Sequence, residues 1–257
     1  MTPLPRLMVA PNGARHTRNN HPKLPVTLAQ TLRTAQACFA AGADGLHMHL
    51  RKADGGHLLD AGLYREAVEE MRRILPDMAV QITTEAVGQY APHAQRHIAL
   101  SSGARLVSIA VGEMRAEADH ACTRSFYEAC AAQEISVQHI LYHPDDLPLL
   151  STFLSHEQFN APSLQLLFVI GRYGPNGAAD PKALLPYLAQ MRQLNLSPDW
   201  AACAFGKHET KCLLAAHAAG GKLRVGFENS FWNMDGSCAL DNAERVAEIA
   251  SKTSNHR

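Results

Sequence analysis

Two histidines separated by one residue stand in Leu46-His47-Met48-His49-Leu50-Arg51, between the small-residue stretch Ala40-Ala41-Gly42-Ala43-Asp44-Gly45 and the turn signal Asp54-Gly55-Gly56. Side chains at i and i+2 of an extended strand share one face. His47 and His49 therefore project together, while Leu46, Met48 and Leu50 pack against the opposite layer. Two imidazoles converging from one strand make half of a metal site. The same spacing also suits a pair of hydrogen-bonded structural histidines, so the motif needs a scaffold and a third ligand before it carries an argument.

Composition bounds that scaffold. With 257 residues, 46% of them hydrophobic, the chain can bury a full core, as two small domains or as one α/β barrel. Lys and Arg number 24 against 24 Asp and Glu, which leaves no basic footprint for nucleic acid and no polybasic membrane patch. The expected partners are small molecules and further copies of the chain. Proline punctuates Met1-Thr2-Pro3-Leu4-Pro5-Arg6, so no signal peptide is expected. No apolar run approaches the roughly 20 residues that span a bilayer. Cys38, Cys122, Cys130, Cys203, Cys212 and Cys238 are scattered without a Cys-x-x-Cys pair, which argues against a zinc ribbon or disulfide framework and for free thiols in a cytoplasmic protein.

The elements that would position the histidines alternate along the whole chain. Leu7 to Pro11 reads as a buried strand ending at the turn signal Asn12-Gly13, whose backbone could approach a ligand. A polar loop from His16 to Pro25 follows, and then a helix opened by Thr27, with Leu32, Ala35 and Phe39 at helical spacing. The second strand carries the histidines, Arg51 to Gly56 reads as a loop, and Asp60 caps a helix through Tyr64, Val68, Met71 and Leu75. Further strands are expected at Ala79–Thr84, Ala104–Ala110, Ile135–Leu141, Gln165–Ile170, Trp200–Phe205 and Leu223–Phe227. Helices are expected at Ser125–Gln133, Leu147–Leu154, Lys182–Leu194, Glu209–Ala219 and Asp241–Ser251. Near-continuous apolar strands suit a parallel sheet covered by helices. About eight β/α alternations without a Gly-, Ser- or Pro-rich linker predict a single (β/α)8 TIM barrel over residues 1–257.

In such barrels the active site lies at the C-terminal ends of the strands, which is where His47 and His49 fall. Glu228, in Gly226-Phe227-Glu228-Asn229-Ser230, closes the last strand at the same mouth. Two histidines and one glutamate form a catalytic zinc set with an open position, although Glu228 taken alone also reads as a solvated loop carboxylate.

Five segments, in this order and at these intervals, carry a resemblance: Val9-Ala10-Pro11-Asn12-Gly13-Ala14, His47-Met48-His49-Leu50-Arg51 with Asp54-Gly55, Gln81-Ile82-Thr83-Thr84, Phe168-Val169-Ile170-Gly171, and Leu223-Arg224-Val225-Gly226-Phe227-Glu228-Asn229. Together they resemble the β-keto acid cleavage enzymes, the family that includes the 3-keto-5-aminohexanoate cleavage enzyme, from Leu7 to about Ile249. The resemblance leaves the family's usual C-terminal extension without a counterpart. It implies a homo-oligomeric (dimeric or tetrameric) zinc-dependent barrel that condenses a β-keto acid with acetyl-CoA to give acetoacetate and a new acyl-CoA. It implies His47, His49 and Glu228 as metal ligands and Arg224 as the residue orienting the catalytic base. Thr83 and Thr84 would be hydroxyl donors, and Asn12, Gly13, Arg51 and Arg172 would contact substrate.

This sequence departs from the family at the base. The resemblance implies an aspartate after the terminal glutamate, and the chain has Asn229, whose amide cannot accept a proton. Arg15 replaces the family's glutamate after the first strand, and the acid of the fifth strand is replaced within Ser136-Val137-Gln138-His139. A pocket without those acids would favour a substrate with an additional anionic group. Glu85 stands where the family has glycine and is the candidate substitute base, with an ion pair to Arg51 or Arg15 as the plain alternative. His139 and His143 are further candidates. The loop Gly171-Arg172-Tyr173-Gly174-Pro175-Asn176-Gly177 and the pair Lys207-His208 could cover the site and face CoA phosphates. Two other readings stay open. One is a metal-binding barrel that lost its base and is inactive or catalyses another metal-assisted reaction such as hydrolysis. The other is an amidohydrolase, discounted because its His-x-His sits on the first strand and its last acid is aspartate.

Overall fold

A computed structural model describes residues 2–115, 120–172 and 179–254. Tyr173 to Gly177 of the loop after Ile170 lie outside the described residues. In chain order the elements are β1 (Leu7–Val9), α1 (Leu28–Ala40), β2 (Gly45–Met48), β3 (Leu50–Arg51), β4 (His57–Leu58), α2 (Ala61–Ile74), β5 (Ala79–Thr83), α3 (Pro92–Ser101), β6 (Leu106–Ala110), α4 (Val111–Met114), α5 (His120–Ala132), β7 (Ser136–Leu141), α6 (Asp146–Ser151), α7 (His156–Asn160), β8 (Gln165–Ile170), α8 (Leu184–Gln193), β9 (Asp199–Ala204), α9 (Glu209–Ala218), β10 (Lys222–Val225) and α10 (Asn242–Thr253). Eight strands close into an all-parallel barrel in the order β1-β10-β9-β8-β7-β6-β5-β2, so the chain is a (β/α)8 TIM barrel. No helix among the described residues is long and apolar enough to cross a membrane.

Two apolar layers hold the barrel. Outward-facing strand residues such as Leu46, Ile82, Val107, Leu166 and Ala202 pack with buried helix residues in the larger cluster. Inward-facing Met8, Leu106, Ile140, Leu167 and Ala201 fill the barrel itself. The helices earn their places by pattern. Helix α2 buries Tyr64, Ala67, Val68 and Met71, spaced i, i+3, i+4 and i+7, and Asp60 caps it by accepting from the Leu63 N–H. Helix α1 starts at a reciprocal capping box between Thr27 and Gln30. It buries Thr31, Ala35 and Cys38, whereas Leu32 and Phe39 pack only along its flanks.

Local departures from the expected elements have local causes. Arg51 to Gly56 is a hairpin tip rather than a plain loop: Gly55 adopts φ +86°, Lys52 N–H donates to Gly56 O, and β3 pairs antiparallel with β4. The helix expected from Leu147 to Leu154 ends already at Ser151 as α6, and a further short helix, α7, follows outside the expected span, opened by a capping box at Ser155. The last strand stops at Val225 because Gly226 turns to φ +137°, a position where a Cβ would lie 2.5 Å from Ala10 O.

Candidate active site

The mouth of the barrel collects ligating atoms from opposite ends of the chain. Leu46 and Met48 face the outer core, so His47 turns inward from β2, and His49 follows just past the strand end. Glu228 arrives after β10, its N–H donating to Ala10 O at 3.0 Å. Its approach requires Gly13, whose φ is +60° and where any Cβ would meet Glu228 Cγ at 2.6 Å. Asn12-Gly13 thus admits a carboxylate side chain to the mouth.

One ligand atom from each of His47, His49 and Glu228 lies within 4.8 Å of the others, and all three residues are buried. The two Nε2 atoms are 3.1 Å apart, and Glu228 Oε2 is 3.5 Å from His47 and 3.4 Å from His49. A tetrahedral centre with bonds of about 2.0–2.1 Å has ligand–ligand edges of about 3.3–3.4 Å, so the triangle already has the size of one zinc face. His47 Nδ1 donates to Gln81 Oε1 at 2.7 Å, which assigns the tautomer and directs the Nε2 lone pair at the triangle. Gln81 Nε2 donates to Gln138 Oε1 at 2.9 Å, and Gln138 Nε2 to Leu166 O, so the second layer is a chain of amides across the barrel. Lone pairs converging in a buried site call for a cation among them, and the residues fit one.

The charges agree with that reading. Burial holds the His47 imidazole well below its ordinary pKa, so it stays neutral. Burial would raise the Glu228 carboxyl, but the Arg224 guanidinium foremost overcomes it and holds the group well below the usual carboxylate range. Arg224 Nη2 donates to Glu228 Oε1 at 3.0 Å and to Cys203 Sγ at 3.5 Å, while its Nε and Nη1 are buried without a partner among the described residues. Asn229 is buried beside them, with neither side-chain atom hydrogen-bonded among the described residues.

Other predicted residues take more varied places. Thr83 Oγ1 accepts from Glu85 N–H at 3.0 Å, and the Thr84 hydroxyl donates to Ser108 O at 2.9 Å, into the wall of the barrel. Asn12 Nδ2 donates to Pro25 O and His49 O, fastening the backbone of His49. Arg51 donates to Gly55 O, Gly13 O and His16 O, binding three loops together. Arg172 is exposed. Glu85 forms a 3.9 Å pair with Arg15; burial raises its carboxyl pKa, with His49 opposing. His139 is on the outer wall, its ring 5.0 Å from Tyr127, and burial lowers its pKa to about 3; it does not reach the mouth. His143 is exposed after β7. Lys207 lies over the Trp232 ring, and His208 Nδ1 donates to Ala179 O.

Four residues at the mouth escaped sequence reasoning. His57 donates through Nε2 to Glu85 O at 2.7 Å and packs against His49, and burial lowers its pKa to about 4. Glu113 accepts from Ala86 N–H and Gln95 Nε2, clamping the loop that carries Glu85. Tyr142 is 45% exposed after β7, and desolvation first, then Glu85 and Cys203, holds its phenol above its ordinary pKa. Cys203 supports Arg224. The Asp54-Gly55 hairpin signal points to His57, since it returns that residue beside His49. Nothing in the local sequence marks the other three.

Comparison with known proteins agrees with this geometry. The chain is 23% identical over 251 residues to a 3-keto-5-aminohexanoate cleavage enzyme of Fusobacterium nucleatum, covering 92% of this chain and 86% of that one. It is 22% identical over 249 residues to a 3-oxoadipate:acetyl-CoA acetyltransferase of Cupriavidus necator, covering 95% and 87%. Among solved structures, a ternary complex of ObcA with a C4-CoA adduct and oxalate superposes with a TM-score of 0.66 at 12% identity; the match covers 90% of this chain and 64% of that one. A type I 3-dehydroquinate dehydratase of Clostridium difficile superposes with a TM-score of 0.60 at 10% identity, covering 98% and 94%, and at such identities the likeness is one of fold. A sequence model of the beta-keto acid cleavage enzymes matches residues 6–255. The chain belongs to the beta-keto acid cleavage enzyme family.

Proposed function

We propose that this chain is a zinc-dependent β-keto acid cleavage enzyme, which converts a β-keto acid and acetyl-CoA into acetoacetate and a new acyl-CoA. The observation that carries the reading is the buried His47-His49-Glu228 triangle backed by a half-paired arginine, in a chain of this family. A divalent cation held by those three residues supplies Lewis-acid stabilisation of the enolate formed when the keto acid loses a proton from C2. Two imidazoles and a carboxylate suit zinc.

The remaining work falls to the protein's own groups. Arg224 keeps Glu228 ionised, and its free Nε and Nη1 offer two charged donors to a carboxylate or developing oxyanion in a site screened from water. Glu85 is the base: it lies at the mouth, its backbone is fixed by Thr83, His57 and Glu113 through Ala86, and its raised pKa brings it toward the operating pH. Asn229 holds substrate through its amide instead of taking a proton. The carbanion attacks the acetyl-CoA thioester and CoA thiolate leaves. The thiolate then attacks the original ketone, the old carbon–carbon bond breaks, Glu85 returns its proton to the released C2 carbanion, and acetoacetate and acyl-CoA depart. Arg15 at the rim favours a keto acid with a second anionic group. Cytoplasmic location and a homo-oligomeric state complete the reading; light scattering measures the latter.

The test is a panel of neutral, cationic and anionic β-keto acids with acetyl-CoA and zinc-loaded protein, with CoA-ester exchange followed by mass spectrometry. Exchange with an anionic member is expected, and Glu85→Gln should abolish both exchange and deuterium incorporation at C2. Unchanged turnover in that variant removes Glu85 as base. No exchange with any member, at one zinc per chain, favours the binder that has lost its base.

A further inference from the structure

The loop from His16 to Pro25, helix α1 and the start of α10 enclose a groove of about 430 Å³ on the mouth side of the barrel, separate from the metal triangle. Its walls include Arg18, Lys23 and Arg33, with one carboxylate, Asp241, among the lining residues. Arginines elsewhere in the fold mostly have acceptors: Arg6 with Asp44, Arg65 with Ser101 O, Arg72 with Gly103 O, Arg105 with Glu134. The side chains of Arg18, Lys23 and Arg33 have none among the described residues. Asp241 is engaged in capping α10 by accepting from Glu244 N–H. The groove is thus a local excess of positive charge in a chain whose formal net charge is zero.

The cations are carried on a fixed frame. His21 is buried, bonds Ala239 O through Nε2 and accepts from Lys23 N–H through Nδ1. Leu24 is 1% exposed and packs with Phe227 and Ala239. Pro25, which lines the groove, accepts from Asn12 Nδ2 at 3.1 Å, and the same nitrogen donates to His49 O at 3.2 Å. One asparagine therefore separates the groove wall from the backbone of a metal-site residue. A ligand with a reactive end at the triangle and an anionic end in the groove would pass over the rim formed by the loop.

We propose that this groove binds the phosphate-bearing nucleotide end of coenzyme A, leaving the thioester arm to reach over the loop to the metal site. The proposal rests on the acetyl-CoA reaction proposed above. Three cations match an anion that carries its charge on separated phosphates, whereas a small keto acid needs no groove of this size outside the barrel mouth.

The zinc-loaded protein is titrated calorimetrically with CoA, dephospho-CoA, inorganic phosphate and ATP, alongside the double variant Lys23→Glu/Arg33→Glu. KM is measured for acetyl-CoA and for S-acetylpantetheine, which lacks the nucleotide. Reversal of two exposed charges should weaken CoA binding and raise KM for acetyl-CoA by roughly tenfold or more, with kcat, zinc content and the S-acetylpantetheine KM unchanged. The neutral pair Lys23→Gln/Arg33→Gln should fall between, which separates charge from misfolding. A reversed variant that binds CoA as the wild type does overturns the groove assignment and leaves the reaction standing. ATP or phosphate binding as tightly as CoA, with the same loss on reversal, overturns the choice of CoA in favour of a general anion site. Wild-type protein that neither binds CoA nor turns over overturns the underlying reaction, and the groove assignment with it.

Discussion

Two buried arginines, each paired with a buried glutamate, do different work in this molecule. Arg245, on α10, donates to Asn233, Glu248, Glu209 and Thr210, and so ties α9 and the loop after β10 to the last helix. Arg224, on β10, donates to one carboxylate oxygen and one thiol, with two nitrogens left over. Around Arg245 there are two carboxylates, a hydroxyl and an amide; around Arg224 there is a triangle of ligand atoms. The Arg245 network leaves only its Nε without a partner among the described residues and rigidifies the fold, whereas the Arg224 set, short of two partners at the mouth of a cavity, is built to be completed by a ligand.

Removing each arginine should separate the two roles. Arg245→Met leaves Glu209 buried without its counter-charge and should cost about 3–5 kcal/mol, read as a lower urea midpoint, with turnover per folded molecule retained. Arg224→Met should lower kcat by roughly 10²–10³, about 3–4 kcal/mol, with the midpoint of zinc-loaded protein unchanged. Equal losses of stability in both variants would sink the distinction. Gln81→Leu frees His47 Nδ1 and should weaken zinc affinity about 10- to 100-fold, measured by competition with a chelator.

The outer wall offers a pH test. His139 has a pKa near 3 in the fold against an ordinary 6.5, so the unfolded chain binds the proton first. Stability should therefore fall as pH drops from 6.5 toward 3, and His139→Leu should flatten part of that slope in urea titrations at pH 7 and 5. The smallest effect is expected for Arg15→Ala, whose exposed pair with Glu85 should contribute under about 1 kcal/mol to stability. Its signature should be a raised KM for the dianionic keto acid.

Much of this was legible in residue order. The β/α alternation announced the barrel, Thr27 and Asp60 announced their helices, and the period of two in a strand announced that His47 and His49 face one way. Such signals are local: each depends on a few neighbouring side chains and the backbone between them. The Gly226 turn and the turned face of α1 were less legible, because tertiary neighbours set them, whereas the capping box that opens α7 at Ser155 is a local signal.

What the sequence determined by itself was the barrel and the metal-ligand candidates. Only the tertiary structure decided which of the mouth residues stand together. Glu113, His57, Tyr142 and Cys203 come from four separate segments, and His139 leaves the site because it points to the outer face of its strand. Arg51 and Asn12 turn their donors to loop carbonyls, and two arginines of one type divide into a structural and a ligand-ready site. The physical reason is closure. In a barrel the ends of distant strands become neighbours, so the partner of a side chain is set by register and strand order across the sheet, and no window of sequence contains it.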